Sequence, residues 1–294
     1  MGYAEQRGVY RHPERQAVFC GDLIDRGPQI VDAVSIVRRM VEAQAAQVVM
    51  GNHEFNAIAW HTPRRNEPSE YFRRHTERTI HQHQETLDQF EDHDLPDVLD
   101  WFRRLPVALD LGAIRVVHAC WDKACLQVIH ETLQPASPFD DEFLTLALLK
   151  ETHPVRDAVE RVLKGPEVRL PDGVRVIDKE GTSRGTVRIR WYEPADQHPS
   201  LDRYALPEET QLSGLDIPTG ARPCPYPDDA PPLFIGHYWL SPEHSPLLRP
   251  NIACLDLSVA KGGRLCAYRF DGESRLTPDH LISVPSRDAA AVSG

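Results

Sequence analysis

Asp22, Asn52, His118 and His237 each stand where a short apolar run of the chain stops, and their side chains offer the oxygen and imidazole donors that divalent cations take. They lie in "GDLIDRG" (21–27), "GNHE" (51–54), "VVHA" (116–119) and "IGHYW" (235–239). A carboxylate such as Asp22 can bridge two cations, and a cation pair can hold phosphoryl oxygens and acidify a bound water. Arg26, shortly after Asp22, offers a guanidinium fork that matches phosphate. Gly21, Gly27 and Gly51 flank these groups and let the backbone turn tightly enough to bring them to one centre.

Four groups so far apart in the chain meet only if the elements before them end at one place. Strands supply that, because ligands collect at the carboxyl ends of the strands in open α/β sheets. "QAVFCGD" and "QVVMGNHE" both read as a buried strand followed by a glycine and polar groups. Residues 107–120 read as a hairpin whose second strand ends at His118, and 232–239 as a strand ending at Gly236-His237. After Pro28, the spacing of Ile30, Val34, Val37 and Val41 predicts a helix that ends near Ala45. Residues 54–105 read as helices, with Leu95, Val98, Leu99 and Phe102 in the last, stopped by Pro106. The segment from about 123 to 231 reads as an insertion with a helical start, a strand at "TVRIRWY" and a Pro-rich loop. The run "NIACLDLSVAKGGRLCAYRF" reads as two strands joined around Lys261-Gly262-Gly263. The alternation gives an α/β fold, taken as one domain over 1–294 carrying that insertion.

Composition narrows the partners. With 44 acidic against 33 basic side chains the net charge is −11, which excludes broad binding to nucleic-acid backbone. A phosphate-bearing ligand therefore needs a local site with cations. The six cysteines are scattered without a C-x-x-C pair, so they read as thiols. No stretch is apolar for long enough to cross a bilayer and the amino terminus is too polar for a signal peptide, so no membrane partner and a cytoplasmic location are expected.

The first two motifs, with "VVHA" and "IGHYW" behind them, resemble those of the calcineurin-like metallophosphoesterases, which include phosphoprotein phosphatases and symmetrical diadenosine tetraphosphatases. The resemblance spans roughly residues 16 to 270. It implies a sandwich of two β-sheets flanked by helices, with a two-metal site at its edge. Asp22 matches the bridging carboxylate, and Asn52, His118 and His237 match the remaining ligands of the second metal. His53 matches the general acid beside the leaving group, Asp25 the carboxylate that orients it, and Arg26 the phosphate clamp. The implied activity is hydrolysis of a phosphate ester or anhydride by a metal-bound hydroxide, on a phosphoprotein or a dinucleoside polyphosphate. Mixed nitrogen and oxygen ligands favour Mn²⁺, with Fe or Zn as alternatives.

One departure bears on the metals. The family carries an earlier Asp-x-His-Gly on the first strand, and nothing before Asp22 fits it; in residues 1–21 the one histidine is His12, and there is no aspartate. Some relatives place a second histidine two residues after the first in the last motif, where this chain has Trp239. As written, the chain carries ligands for one cation and lacks a central strand. The sequence reading expects a clipped form of a longer enzyme, against the alternative of an inactive or impaired phosphate-binding or regulatory module.

Other readings compete for these residues. Taken singly, His118 and His237 fit satisfied core histidines, and Asp25 fits a turn cap. Glu54 reads as a first-turn helix residue rather than a ligand. His75, His81, His83 and His93 read as a solvated helical surface. "TVRIRWY" could set Arg188 or Arg190 over a substrate with Trp191 against a base, but the reading preferred is an exposed strand.

Overall fold

The computed structural model describes residues 1–90, 94–134, 138–177, 181 and 183–287. An amino-terminal hairpin of β1 (Ala4–Gln6) and β2 (Val9–Arg11) precedes a β-α-β unit. In that unit β3 (Ala17–Phe19), α1 (Ile30–Glu42) and β4 (Ala46–Val48) follow one another, and β3 pairs in parallel with β4. Ile30, Val34, Val37 and Met40 are the buried face of α1, so the stripe runs through Met40 where the spacing predicted Val41. Among the described residues, β4 is the one strand paired with β3.

α2 (Asn52–His61) starts directly on the second motif. Pro63 ends it, and a hairpin of β5 (Pro63–Arg64) and β6 (Glu67–Tyr71) interrupts the run expected to be wholly helical. α3 (Glu77–Gln89) and α4 (Leu95–Phe102) complete that run. β7 (Ala108–Asp110) and β8 (Arg115–Val117) form the predicted hairpin.

From residue 123 the chain forms α5 (Lys123–Thr132), α6 (Asp141–Leu144), α7 (Pro154–Lys164), β9 (Glu167–Arg169), β10 (Val176–Ile177), β11 (Ser183–Arg184), β12 (Thr186–Arg188) and α8 (Leu201–Tyr204). β12 pairs with β9 and β10 with β11, both antiparallel. The expected exposed strand at "TVRIRWY" is corrected here. Ile189, Trp191 and Tyr192 are fully buried, because this segment packs into the main hydrophobic core, and Trp191 Nε1 donates to the Tyr238 hydroxyl at 2.8 Å.

The last elements are β13 (Leu233–Ile235), β14 (Leu247–Arg249), β15 (Ile252–Cys254), β16 (Asp256–Leu257), β17 (Arg264–Tyr268) and β18 (Leu281–Pro285). The main sheet has the order β14-β15-β13-β8-β7, with β13 parallel to both β15 and β8. β16, β17 and β18 form an antiparallel sheet whose first turn holds the predicted Lys261-Gly262-Gly263. Val18, Cys20 and Val49 of the β3–β4 pair pack with Val116, Phe234 and Ala253 of the main sheet, which sets the two sheets' strand ends together. The fold is α/β, with helices packed on sheets, as the sequence predicted. No described helix is long and apolar enough to cross a membrane.

Candidate metal centre

Parallel pairing decides where the motifs go. Parallel strands end at the same edge, so β3 and β4 deliver Gly21-Asp22 and Gly51-Asn52 side by side, and β8 and β13 do the same for His118 and Gly236-His237. The two loops of the first pair touch: a Cβ on Gly51 would lie 2.3 Å from Asp22 Oδ1, and one on Gly21, whose φ is +86°, 2.5 Å from Gly51 N. Only glycine permits that approach. The second pair is joined by Gly236 N–H donating to the His118 carbonyl at 2.8 Å. Glu54, the third residue of α2, fastens the first two loops by accepting from the amides of Gly51 at 2.8 Å, Asp22 at 2.9 Å and Leu23 at 2.6 Å. It sits in the first turn of its helix, as predicted, and these three bonds are to backbone amides rather than to ligand groups.

The four predicted ligand groups meet at His118. Its Nε2 lies 3.1 Å from Asn52 Oδ1, 3.2 Å from His237 Nδ1 and 3.3 Å from Asp22 Oδ2. Its Nδ1 donates to the Cys20 carbonyl at 2.6 Å, which fixes the ring and, in the neutral form, leaves Nε2 as a lone pair. Four acceptor atoms then face a single point, an arrangement that a cation relieves. The electrostatics agree. Burial raises the Asp22 carboxyl, but His118 and then His53 outweigh it and hold the group well below the usual carboxylate range. Burial, with Arg188 and His118 adding to it, keeps the His237 imidazole well below its ordinary pKa and therefore neutral, the form that ligates. His237 Nε2 is buried without a hydrogen-bond partner. These residues fit a divalent cation held by mixed oxygen and nitrogen donors.

Beside them lies a second group. His53, in the first turn of α2, sets Nδ1 2.6 Å from Asp25 Oδ2 and Nε2 4.0 Å from Asp22 Oδ2. Burial alone would lower the His53 pKa; Asp22 and then Asp25 reverse this and raise it to about 9. Asp25 is buried rather than capping a turn, and although burial pushes its carboxyl up, bonds from His53 and His83 hold it well below the usual range. Asp22, Asp25 and His237 all have positive φ, at 58°, 73° and 70°, a region that L residues occupy only when surroundings force it. Arg26 lies over the Trp239 ring, its guanidinium carbon 4.5 Å from the centroid, so the two loops of the first and last motifs are stacked on each other.

The histidine-rich helix is a correction. His83 was predicted to be solvated and is instead wholly buried, with Nδ1 2.5 Å from Asp25 Oδ1 and Nε2 3.0 Å from His61 Nε2. His75 stacks on Trp60, and His81 is exposed; His93 lies outside the described residues. His83, Thr86 and Gln89 share one face of α3 and all bond the loop that follows Asp22: Thr86 Oγ1 donates to Asp25 Oδ1 at 2.8 Å, and Gln89 bonds Ile30 N and the Gly27 carbonyl. Spacing puts His83 and Thr86 on one face of α3, but both are polar, so no apolar stripe tells that this face turns inward.

The sequence profile of the calcineurin-like phosphoesterases matches residues 7–153. A segment of 54 residues is 44% identical to an asymmetrical bis(5'-nucleosyl)-tetraphosphatase of Halalkalibacterium halodurans, covering 18% of this chain and 22% of that protein. The chain thus spans about a fifth of the length of that relative. A symmetrical bis(5'-nucleosyl)-tetraphosphatase of Bordetella pertussis is 26% identical over 275 residues, covering 86% of this chain and 80% of that one. Among solved structures, a putative diadenosine tetraphosphatase is 17% identical with a TM-score of 0.39, over 92% of this chain and 80% of the other.

Proposed function

Because the chain belongs to the calcineurin-like phosphoesterase family, we propose that it is a divalent-metal-dependent hydrolase of phosphate esters or anhydrides, with a dinucleoside polyphosphate as the favoured substrate class. One observation carries the reading: Asp22 Oδ2, Asn52 Oδ1 and His237 Nδ1 all lie within 3.3 Å of His118 Nε2, with the His53–Asp25 pair adjoining. The names of the tetraphosphatase relatives support the substrate class; a phosphoprotein is the other candidate.

Asp22, Asn52, His118 and His237 would hold the cation, with Mn²⁺ proposed as its occupant and Fe or Zn as alternatives that the same donors accept. Bound there, it supplies positive charge to phosphoryl oxygens and acidifies water. Arg26 orients the phosphoryl group through paired N–H donors. His53, held by Asp25 at Nδ1, keeps a proton at Nε2 and gives it to the departing oxygen. The six cysteines are free thiols, which supports a reducing compartment such as the cytoplasm.

A second reading, a phosphate-binding module with a single cation, draws on Asp22, His118 and His237 being the one close group of His, Cys, Asp or Glu found among the described residues. Metal-supplemented assays on an aryl phosphate, diadenosine tetraphosphate and a phosphopeptide separate the two. The enzyme reading expects Mn²⁺-dependent phosphate release that a chelator abolishes, fastest on the dinucleotide. Folded protein that binds Mn²⁺ and hydrolyses none of the three would leave the binding module.

A further inference from the structure

We propose that His83 is a positioning residue that holds Asp25 in place for His53, an inference that rests on the roles given above to Asp25 and His53. The two carboxylate oxygens of Asp25 are divided between different parts of the chain. Oδ2 takes the Nδ1–H of His53, and Oδ1 takes the Nδ1–H of His83 and the hydroxyl of Thr86. Thr86 Oγ1 also accepts the amide of Asp25 itself at 2.8 Å, so backbone and side chain of this one residue are both tied to α3.

Asp25 needs such ties. Its φ of 73° is a strained conformation for an aspartate, and its carboxylate is buried away from water, where every missing donor is felt. Without α3 the carboxylate could rotate, and His53 would lose both its orientation and the acceptor that keeps hydrogen on Nδ1.

His83 is itself held in one orientation. Its side chain has no exposure, and its Nε2 meets His61 Nε2 at 3.0 Å. An ionised carboxylate offers only lone pairs, so Nδ1 of His83 must be the donor toward Asp25; in a neutral ring this leaves Nε2 as the acceptor for the Nε2–H of His61. Burial, then His83, depresses the His61 imidazole to about 4, so His61 stays uncharged beside His83.

The experiment compares two substitutions of similar burial. Asn at 83 places an amide N–H near the position of Nδ1; Leu fills the space with no donor. His83→Asn should keep kcat within about threefold of the parent, and His83→Leu should lower it about tenfold or more with KM little changed. Equal activity in His83→Leu and the parent, or equal impairment in both variants, overturns the proposal, the latter because it signals packing alone. A readout on the parent protein needs neither turnover nor a folded variant: ¹⁵N NMR of histidine-labelled protein must find His83 Nδ1 protonated, and a bare Nδ1 overturns the inference. If the parent hydrolyses nothing, the reading of the site fails while the NMR result still decides the geometry around Asp25.

Discussion

His53 is the residue on which the proposed chemistry turns, and its surroundings give two measurable consequences. His53→Ala should lower turnover by about 10²–10⁴-fold while Mn²⁺ affinity, measured by calorimetry, stays near that of the parent, since the side chain is not among the ligand group. The second consequence concerns pH. The folded-state pKa of about 9 lies above the ordinary 6.5, so the favourable charge on His53 is fully present below about pH 6.5 and is lost as pH rises through 9. In metal-free protein, thermal melts from pH 6 to 10 should therefore show a loss of stability that His53→Gln does not share. A cation on Asp22 neutralises the first of the charges that raise this pKa and should bring the loss to lower pH. A metal-free His53 that titrates by NMR at or below 6.5 would contradict this account. At this scale the motifs were legible. Asp22, Asn52, His118 and His237 could be named because each follows a short apolar run; His83 could not, because its burial depends on which face of α3 meets the loop after Asp22.

Elements do the aiming. β3 with β4, and β8 with β13, are parallel pairs whose carboxyl ends carry the two halves of the candidate metal centre. The contact between the first two loops leaves no room for a side chain at Gly51, where a Cβ would also meet Glu54 Oε2 at 2.6 Å. Gly51→Ala should then displace Asp22 or Glu54, weakening Mn²⁺ binding by about tenfold or more while far-ultraviolet circular dichroism keeps its shape. Unchanged affinity in that variant would mean that the loops move apart without cost. The α1 stripe and both hairpins predicted at 107–120 and after residue 251 followed from periodicity and turn residues. The β5–β6 hairpin did not, since "PRRNEPSEY" is polar throughout and lacks the alternation by which a strand is read.

Across the whole molecule, the segment from 123 to 231 reaches the centre through Trp191, whose indole N–H bonds the Tyr238 hydroxyl, which in turn donates to the Ala119 carbonyl at 3.0 Å. Ala119 follows His118, and Tyr238 follows His237, so this buried chain of bonds braces both histidines from behind. Trp191→Phe should cost about 1 kcal/mol in urea unfolding, beyond any packing loss. Cation binding acts on the same scale: Mn²⁺ at about 100-fold over its Kd should stabilise the fold by about 2.7 kcal/mol, seen as a raised Tm that Asp22→Asn abolishes. The sequence by itself determined the α/β class and the strand-end positions of the candidate ligand groups, because both are written in local periodicity and residue type; the pairing of His53 with Asp25 followed from the resemblance of their motifs to a known family. Which histidine of a polar helix turns inward, that Asp25 is shared between His53 and His83, and that Trp191 is a brace rather than a surface residue were decided only by the tertiary structure. Those facts depend on contacts between segments tens to hundreds of residues apart, and no local pattern records them.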